Sequence, residues 1–177
     1  GSYLLDNALQ DVQANITSKG VVFTSTSDIE GGGSFALSLA QFGRAGDLRT
    51  AVPGSIQQRG DSVVHAHPGG IAESFSNTAE GIRQDFLIPF KPEGSGALEV
   101  RLALEGASAS KTDSGLQVVI DSSQRVLTYD RLRVTDANQH DVPARMQLAS
   151  SHQVNIVVDD SRAIYPLTID PTVSDAN

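Results

Sequence analysis

Apolar and polar residues alternate with a period of two through the C-terminal half of the chain, the pattern of strands that bury one face. Leu98, Val100, Leu102 and Leu104 share one phase, and Glu99, Arg101 and Glu105 share the other. The pattern returns at Leu116, Val118 and Ile120, then at Leu132 and Val134 between Arg131, Arg133 and Thr135. Val142, Ala144, Met146 and Leu148 continue it, followed by Val154, Ile156 and Val158, and then by Tyr165, Leu167 and Ile169. Turn formers separate these runs: Gly106, Asp113-Ser114-Gly115, Asp121-Ser122-Ser123, Asp136-Ala137-Asn138 and Asp159-Asp160-Ser161. Their short side chains bond their own backbone, and glycine tolerates positive φ. Short strands at this spacing predict an all-β fold, an antiparallel β-sandwich.

The first half is less regular. Val12, Ala14 and Ile16 alternate up to Ser18-Lys19-Gly20, and Val21 and Phe23 continue beyond it, which predicts a hairpin. Phe35, Leu37 and Leu39 form a strand after Gly31-Gly32-Gly33. A second hairpin is expected from Ile71 to Ser76 and from Ile82 to Ile88, around Asn77-Thr78-Ala79-Glu80-Gly81. Tyr3 to Val12 also fits one short helix, because Leu5, Ala8, Leu9 and Val12 would share a face. Residues 89–96, Pro-Phe-Lys-Pro-Glu-Gly-Ser-Gly, interrupt helix and ladder alike. They join either two sheets of one sandwich or two β subdomains, 3–92 and 93–171. Asp170-Pro171 is expected to stop the last ladder and leave 172–177 as a polar linker.

The formal charge is −8, and acidic residues are scattered along the chain, so the charge serves solubility. Nucleic acid requires a basic footprint that the sequence lacks, and an anionic membrane surface is disfavoured for the same reason. Membrane insertion is not expected, because no apolar run approaches the about 18 residues of a spanning helix. With no cysteine, disulfides, thiol nucleophiles and cysteine-ligated zinc are excluded. Gly1-Ser2 reads as a cloning junction, so the natural N-terminus is expected upstream.

Residues 127–137 (Leu-Thr-Tyr-Asp-Arg-Leu-Arg-Val-Thr-Asp-Ala) lead into Val142-Pro143-Ala144-Arg145, then into Val154-Asn155-Ile156-Val157-Val158-Asp159-Asp160. The series ends in Tyr165-Pro166-Leu167-Thr168-Ile169-Asp170-Pro171. This resembles a module near the N-terminus of large secreted bacterial proteins, ahead of FG-GAP (integrin-like propeller) or other repeat arrays, and in some Rhs-type toxins. Asn15 to Thr24, Ile71 to Phe75 and Gly81 to Phe86 extend the resemblance to most of residues 10–171. It implies a folded β unit outside the cytoplasm, extracellular or at the cell surface, with downstream repeat domains of the same polypeptide as its partner. It brings no catalytic residue with it.

Several groups carry residue types with chemical potential. His65-Ala66-His67 puts two imidazoles on one face of a strand, at a spacing that suits a metal. His140 and His152 offer no third ligand there, so His65 and His67 are read as facing solvent. Asp28, Glu30, Asp159, Asp160 and Asp170 could supply oxygens to calcium, yet no calcium-loop signature surrounds them, and Asp159 and Asp160 are read as turn formers. Gly31-Gly32-Gly33-Ser34 lacks the lysine of a phosphate loop and precedes a strand. No nucleophile elbow or paired acid/base motif occurs. The expectation is a non-catalytic structural or assembly module with no metal, cofactor or catalytic residue. The alternative is an adhesive sandwich that binds a glycan or a surface protein. The absence of tryptophan weighs against sugar platforms.

Overall fold

The computed structural model describes residues 1–176. Strands run β1 (Tyr3–Asn7), β2 (Val12–Thr17), β3 (Gly20–Ser25), β4 (Ser34–Arg44), β5 (Asp47–Thr50), β6 (Ile56–Arg59), β7 (Ser62–His67) and β8 (Ile71–Thr78). Then come β9 (Gly81–Ile88), β10 (Leu98–Glu105), β11 (Ala107–Lys111), β12 (Gly115–Ile120), β13 (Val126–Thr135), β14 (Ala144–Ser150), β15 (Gln153–Val158) and β16 (Leu167–Asp175). There is no helix among the described residues, so nothing there is long and apolar enough to cross a membrane as a helix.

Two antiparallel sheets pack into a β-sandwich. The first has the order β1-β2-β3-β4-β10-β15-β14, with β5 added to the end of β4. The second has the order β11-β12-β13-β16-β9-β8-β7-β6. Each sheet takes strands from both halves of the chain, so 3–92 and 93–171 are not separate subdomains. The seam at 89–96 instead carries the chain from β9 in the second sheet to β10 in the first. The segment Tyr3–Val12 is a strand and a tight turn rather than a helix: Tyr3 to Asn7 pairs with Ile16 to Val12, which satisfies its backbone from outside.

The linker expected at 172–177 is corrected through residue 175. Thr172, Val173, Ser174 and Asp175 pair with Asp130, Tyr129, Thr128 and Leu127, and Thr172 and Val173 also lie opposite Arg83 and Ile82. Proline lacks an amide, which ordinarily ends a ladder. Here the partner accommodates it: the register of β13 shifts between Asp130 and Arg133, with Arg131 at φ 57°, and this bulge falls beside Pro171. The bulge also changes the inward phase of β13 from Leu127 and Tyr129 to Val134, which leaves Leu132 only partly buried.

The core follows the alternation. Leu98, Val100, Leu102, Leu104, Val118, Ile120, Val134, Ile156, Val158 and Leu167 are all buried together, as their phase predicts. From the first half, Phe23 stacks on Phe35 at 5.2 Å, and Phe75 and Phe86 are fully buried.

Two buried arginines fix the loops to this frame. Arg44 forms a two-pronged pair with Asp160, at 2.7 and 2.9 Å, and donates to the carbonyls of Pro92 and Gly96 in the seam. Tyr165 completes the group by donating to Asp160 at 2.6 Å. Burial opposes ionisation of Asp160, but Arg44 and Tyr165 hold its carboxyl below the ordinary range. At the other arginine, Arg125 donates to the carbonyls of Gln10 and Asp11 and to the Ser25 hydroxyl. It lies 3.4 Å from Glu30 and 3.6 Å from Asp175, so one guanidinium joins the β1–β2 turn, the glycine-rich loop and the end of β16.

Candidate functional site

The polar group with chemical potential sits on the inner face of the second sheet. On β7 the inward phase is Val63, His65 and His67; on β8 it is Ile71, Glu73 and Phe75; on β9 it is Ile82, Gln84 and Phe86. Antiparallel register sets His65 opposite Glu73 and Phe75 opposite Gln84. Cross-strand neighbours on one face lie within reach of each other, so the two histidines and Gln84 converge on one carboxylate.

His67 Nε2 is 2.7 Å from Glu73 Oε2, and its Nδ1 is 3.1 Å from the Val52 carbonyl. Both ring nitrogens thus face acceptors, an arrangement that favours the charged ring beside an ionised Glu73. Gln84 Nε2 donates to Glu73 Oε1 at 2.8 Å, and the Tyr129 hydroxyl donates to Gln84 Oε1 at 2.5 Å. His65 packs against His67 with ring centroids 4.0 Å apart. Its Nε2 accepts a long 3.4 Å bond from Gly54 N–H, while its buried Nδ1 has no hydrogen-bond partner and faces Glu73 Oε2 at 3.5 Å. Burial opposes ionisation of Glu73, yet the two histidines hold its carboxyl below the ordinary range. Burial likewise opposes charge on His67, but Glu73 and the Val52 carbonyl raise its pKa above the usual value. The Tyr129 hydroxyl is pushed well up by burial.

Residues 51–55 roof this group. Gly54 is required there, because a Cβ would fall 1.7 Å from the Ala66 carbonyl oxygen, a backbone atom that cannot yield. A cavity of about 30 Å³ remains beneath the roof, lined by Ser18, Lys19, Gly20, Leu39, Ala51 and Pro53 with the two histidines and Glu73.

The solvent-facing reading of the histidine pair is therefore corrected. His65 is 1% exposed, the His67 side chain is 4% exposed, and a third group, Glu73, meets them. His140 and His152 are exposed and join no such group among the described residues. Nor do the acidic residues weighed for calcium come together. Asp160 is committed to Arg44, Asp159 caps its own turn through the Ser161 amide and hydroxyl, and Glu30 lies beside Arg125. Gly31 and Gly33 form a turn at φ 94° and 89°, as expected of a flexible glycine run.

Asp170 is on the outer face of the second sheet, 3.2 Å from Arg83 and close to Asp85, with Arg133 and Glu80 also near. Burial and the charge of Asp85 push its carboxyl from 3.8 to about 6, despite Arg83 and Arg133. A carboxyl raised in the folded state favours folding when protonated. Its contribution is complete below the unfolded value and is lost as pH rises through about 6. Melting temperature should therefore rise as pH falls from 7 to 5, with His67 adding to the slope at its upper end, and Asp170→Asn should remove the Asp170 share of that slope while raising stability at pH 7. An unchanged slope in the variant would assign the effect to other groups.

A second recess, about 570 Å³, opens between β4–β5 and the loops at 68–71 and 92–94, over Phe42, Arg44, Arg49 and Ile71. No family model, curated protein or solved structure matches this chain. Fold and site together describe an antiparallel β-sandwich with a buried histidine–carboxylate group on the inner face of one sheet.

Proposed function

We propose that this chain is a non-catalytic structural module of a secreted or cell-surface bacterial protein, leading into downstream repeats of the same polypeptide. The observation that carries the reading is the placement of β16. It lies between β13 and β9 and is hydrogen-bonded on both sides as far as Val173. A segment joined beyond such a strand is attached to the middle of a sheet, and pulling on it must shear two ladders at once. An edge strand would instead unzip one bond pair at a time.

Further support comes from the chemistry of the two recesses. In the larger, Arg44 is committed to Asp160 and two seam carbonyls, and Asp47, Arg49 and Glu93 flank it without a hydrogen-bonded nucleophile among the described residues. The smaller holds about one water and is roofed. The Tyr-Pro-Leu-Thr-Ile-Asp-Pro ending, with its resemblance to modules that precede repeat arrays, gives the context. Absence of cysteine suits an oxidising compartment.

The larger recess favours one second reading, an adhesive sandwich for a glycan or a surface protein. A glycan array probed with and without calcium separates the two. The structural reading expects no sugar-specific signal, and it expects the natural polypeptide, extended into its downstream residues, to melt this unit at the temperature of the 177-residue chain. Saturable binding of one glycan class, abolished by Arg49→Ala, would overturn it in favour of adhesion.

A further inference from the structure

We propose that His65, His67 and Glu73 form a binding site for one divalent transition-metal ion of the zinc class, independent of the structural role above. One ligand atom from each residue lies within 4.8 Å of the other two. Tetrahedral zinc with bonds of about 2.0–2.1 Å places its ligands ~3.3 Å apart. His65 Nδ1 already stands 3.5 Å from Glu73 Oε2, close to that edge. His67 Nε2, at 2.7 Å from the same oxygen, has only to widen by a fraction of an ångström when an ion replaces the shared proton.

The poorly served Nδ1 of His65 is the independent pointer. It is a polar atom on a side chain 1% exposed, aimed at Glu73 Oε2 from 3.5 Å, too far and too poorly aligned for a good hydrogen bond. A buried polar atom so weakly served is destabilising unless something occupies it. The surroundings supply the outer contacts that metal ligands use. His67 Nδ1–H donates to the Val52 carbonyl, which leaves Nε2 for the ion, and Glu73 is held at its other oxygen by Gln84, itself held by Tyr129. The cavity of about 30 Å³ accepts one water as fourth ligand. Two imidazoles and one carboxylate, a nitrogen-rich set, favour zinc, cobalt, nickel or copper over calcium and magnesium.

Ligation through His65 Nδ1 places that ring's hydrogen on Nε2, so the long contact from Gly54 N–H must open. Lys19 on the cavity lining opposes the ion by its charge.

The test is titration of the chelator-treated chain with Co²⁺, followed by Zn²⁺ competition. The expected result is one Co²⁺ per chain with the intense visible bands of low-coordinate cobalt, displaced by Zn²⁺. Glu73→Gln should abolish the bands, and Gln84→Ala should weaken binding ~10–100-fold. As a readout that needs no variant to fold, Co²⁺ should broaden the amide NMR signals of Val52, Gly54 and Ala66 in the unaltered chain. Bands of hexaaqua cobalt alone would overturn the proposal, as would broadening centred on His140 or His152.

Discussion

A chain that stops at Pro171 should lose most of its stability, with an expected deficit on the order of 4–6 kcal/mol. The residues removed include Val173, which is 2% exposed, and full burial of a valine contributes roughly 1.5–3 kcal/mol. The Thr128–Ser174 hydroxyl bond at 2.8 Å goes with them, as do the ladder bonds from β13 to Thr172, Val173, Ser174 and Asp175. Gly81 would face an empty strip as well, since its backbone is shaped to lie against Val173: a Cβ there would come 2.2 Å from the Val173 carbonyl oxygen. Against the ~5–15 kcal/mol that holds a domain of ordinary stability, such a loss leaves little. Chemical denaturation of the shortened chain measures it directly. A midpoint equal to that of the full chain would return 172–175 to the status of a linker.

Arg44→Ala is the point substitution with the largest expected effect, about 3–5 kcal/mol, the range for breaking one side of a buried ion pair. The Asp160 side chain is 5% exposed and would keep only Tyr165 as a donor among its present partners. The carbonyls of Pro92 and Gly96 would lose their guanidinium partner too, and the seam its tether. Arg133→Ala provides the contrast. Its partner Asp141 is 77% exposed, so water replaces the pair and the change should stay within about 1 kcal/mol. Thermal melts of both variants settle the comparison. Equal effects would mean that burial does not govern these pairs.

The architecture was legible wherever one strand face is purely apolar. The runs at 98–104, 116–120 and 154–158 declared both strand and core side, and the hairpins of β2–β3 and β8–β9 followed from Lys19-Gly20 and Glu80-Gly81. Three short strands, β5, β6 and β11, carried too little apolar contrast to be read: Asp47-Leu48-Arg49-Thr50, Ile56-Gln57-Gln58-Arg59 and Ala107-Ser108-Ala109-Ser110-Lys111. The last strand extends past its sequence signal because Pro171 ends ladders in general, and the bulge opposite it, where Arg131 takes a positive φ, has no mark in the sequence.

The histidine pair was seen, but its direction was not. Polar side chains are expected outside, and residue type alone places His65 and His67 there. The signal that runs the other way is phase: Glu73 lies between Ile71 and Phe75, and Gln84 between Ile82 and Phe86, each on the apolar side of its strand. Polar residues held in an inward phase on adjacent strands must satisfy one another, and that rule alone would have joined Glu73 to Gln84. Bringing His65 opposite Glu73 additionally required the β7–β8 register, which the Pro68-Gly69-Gly70 turn sets and composition does not reveal.

Amide hydrogen exchange of β16 tests the central claim most directly, because the structural role rests on that strand being locked into the middle of its sheet. The amides of Leu167 to Ile169 and of Thr172 to Ser174 should exchange together, at the slow rate of Phe86 on β9 and Tyr129 on β13. Rapid exchange from Thr172 onward, with slow exchange confined to Leu167–Ile169, would contradict it.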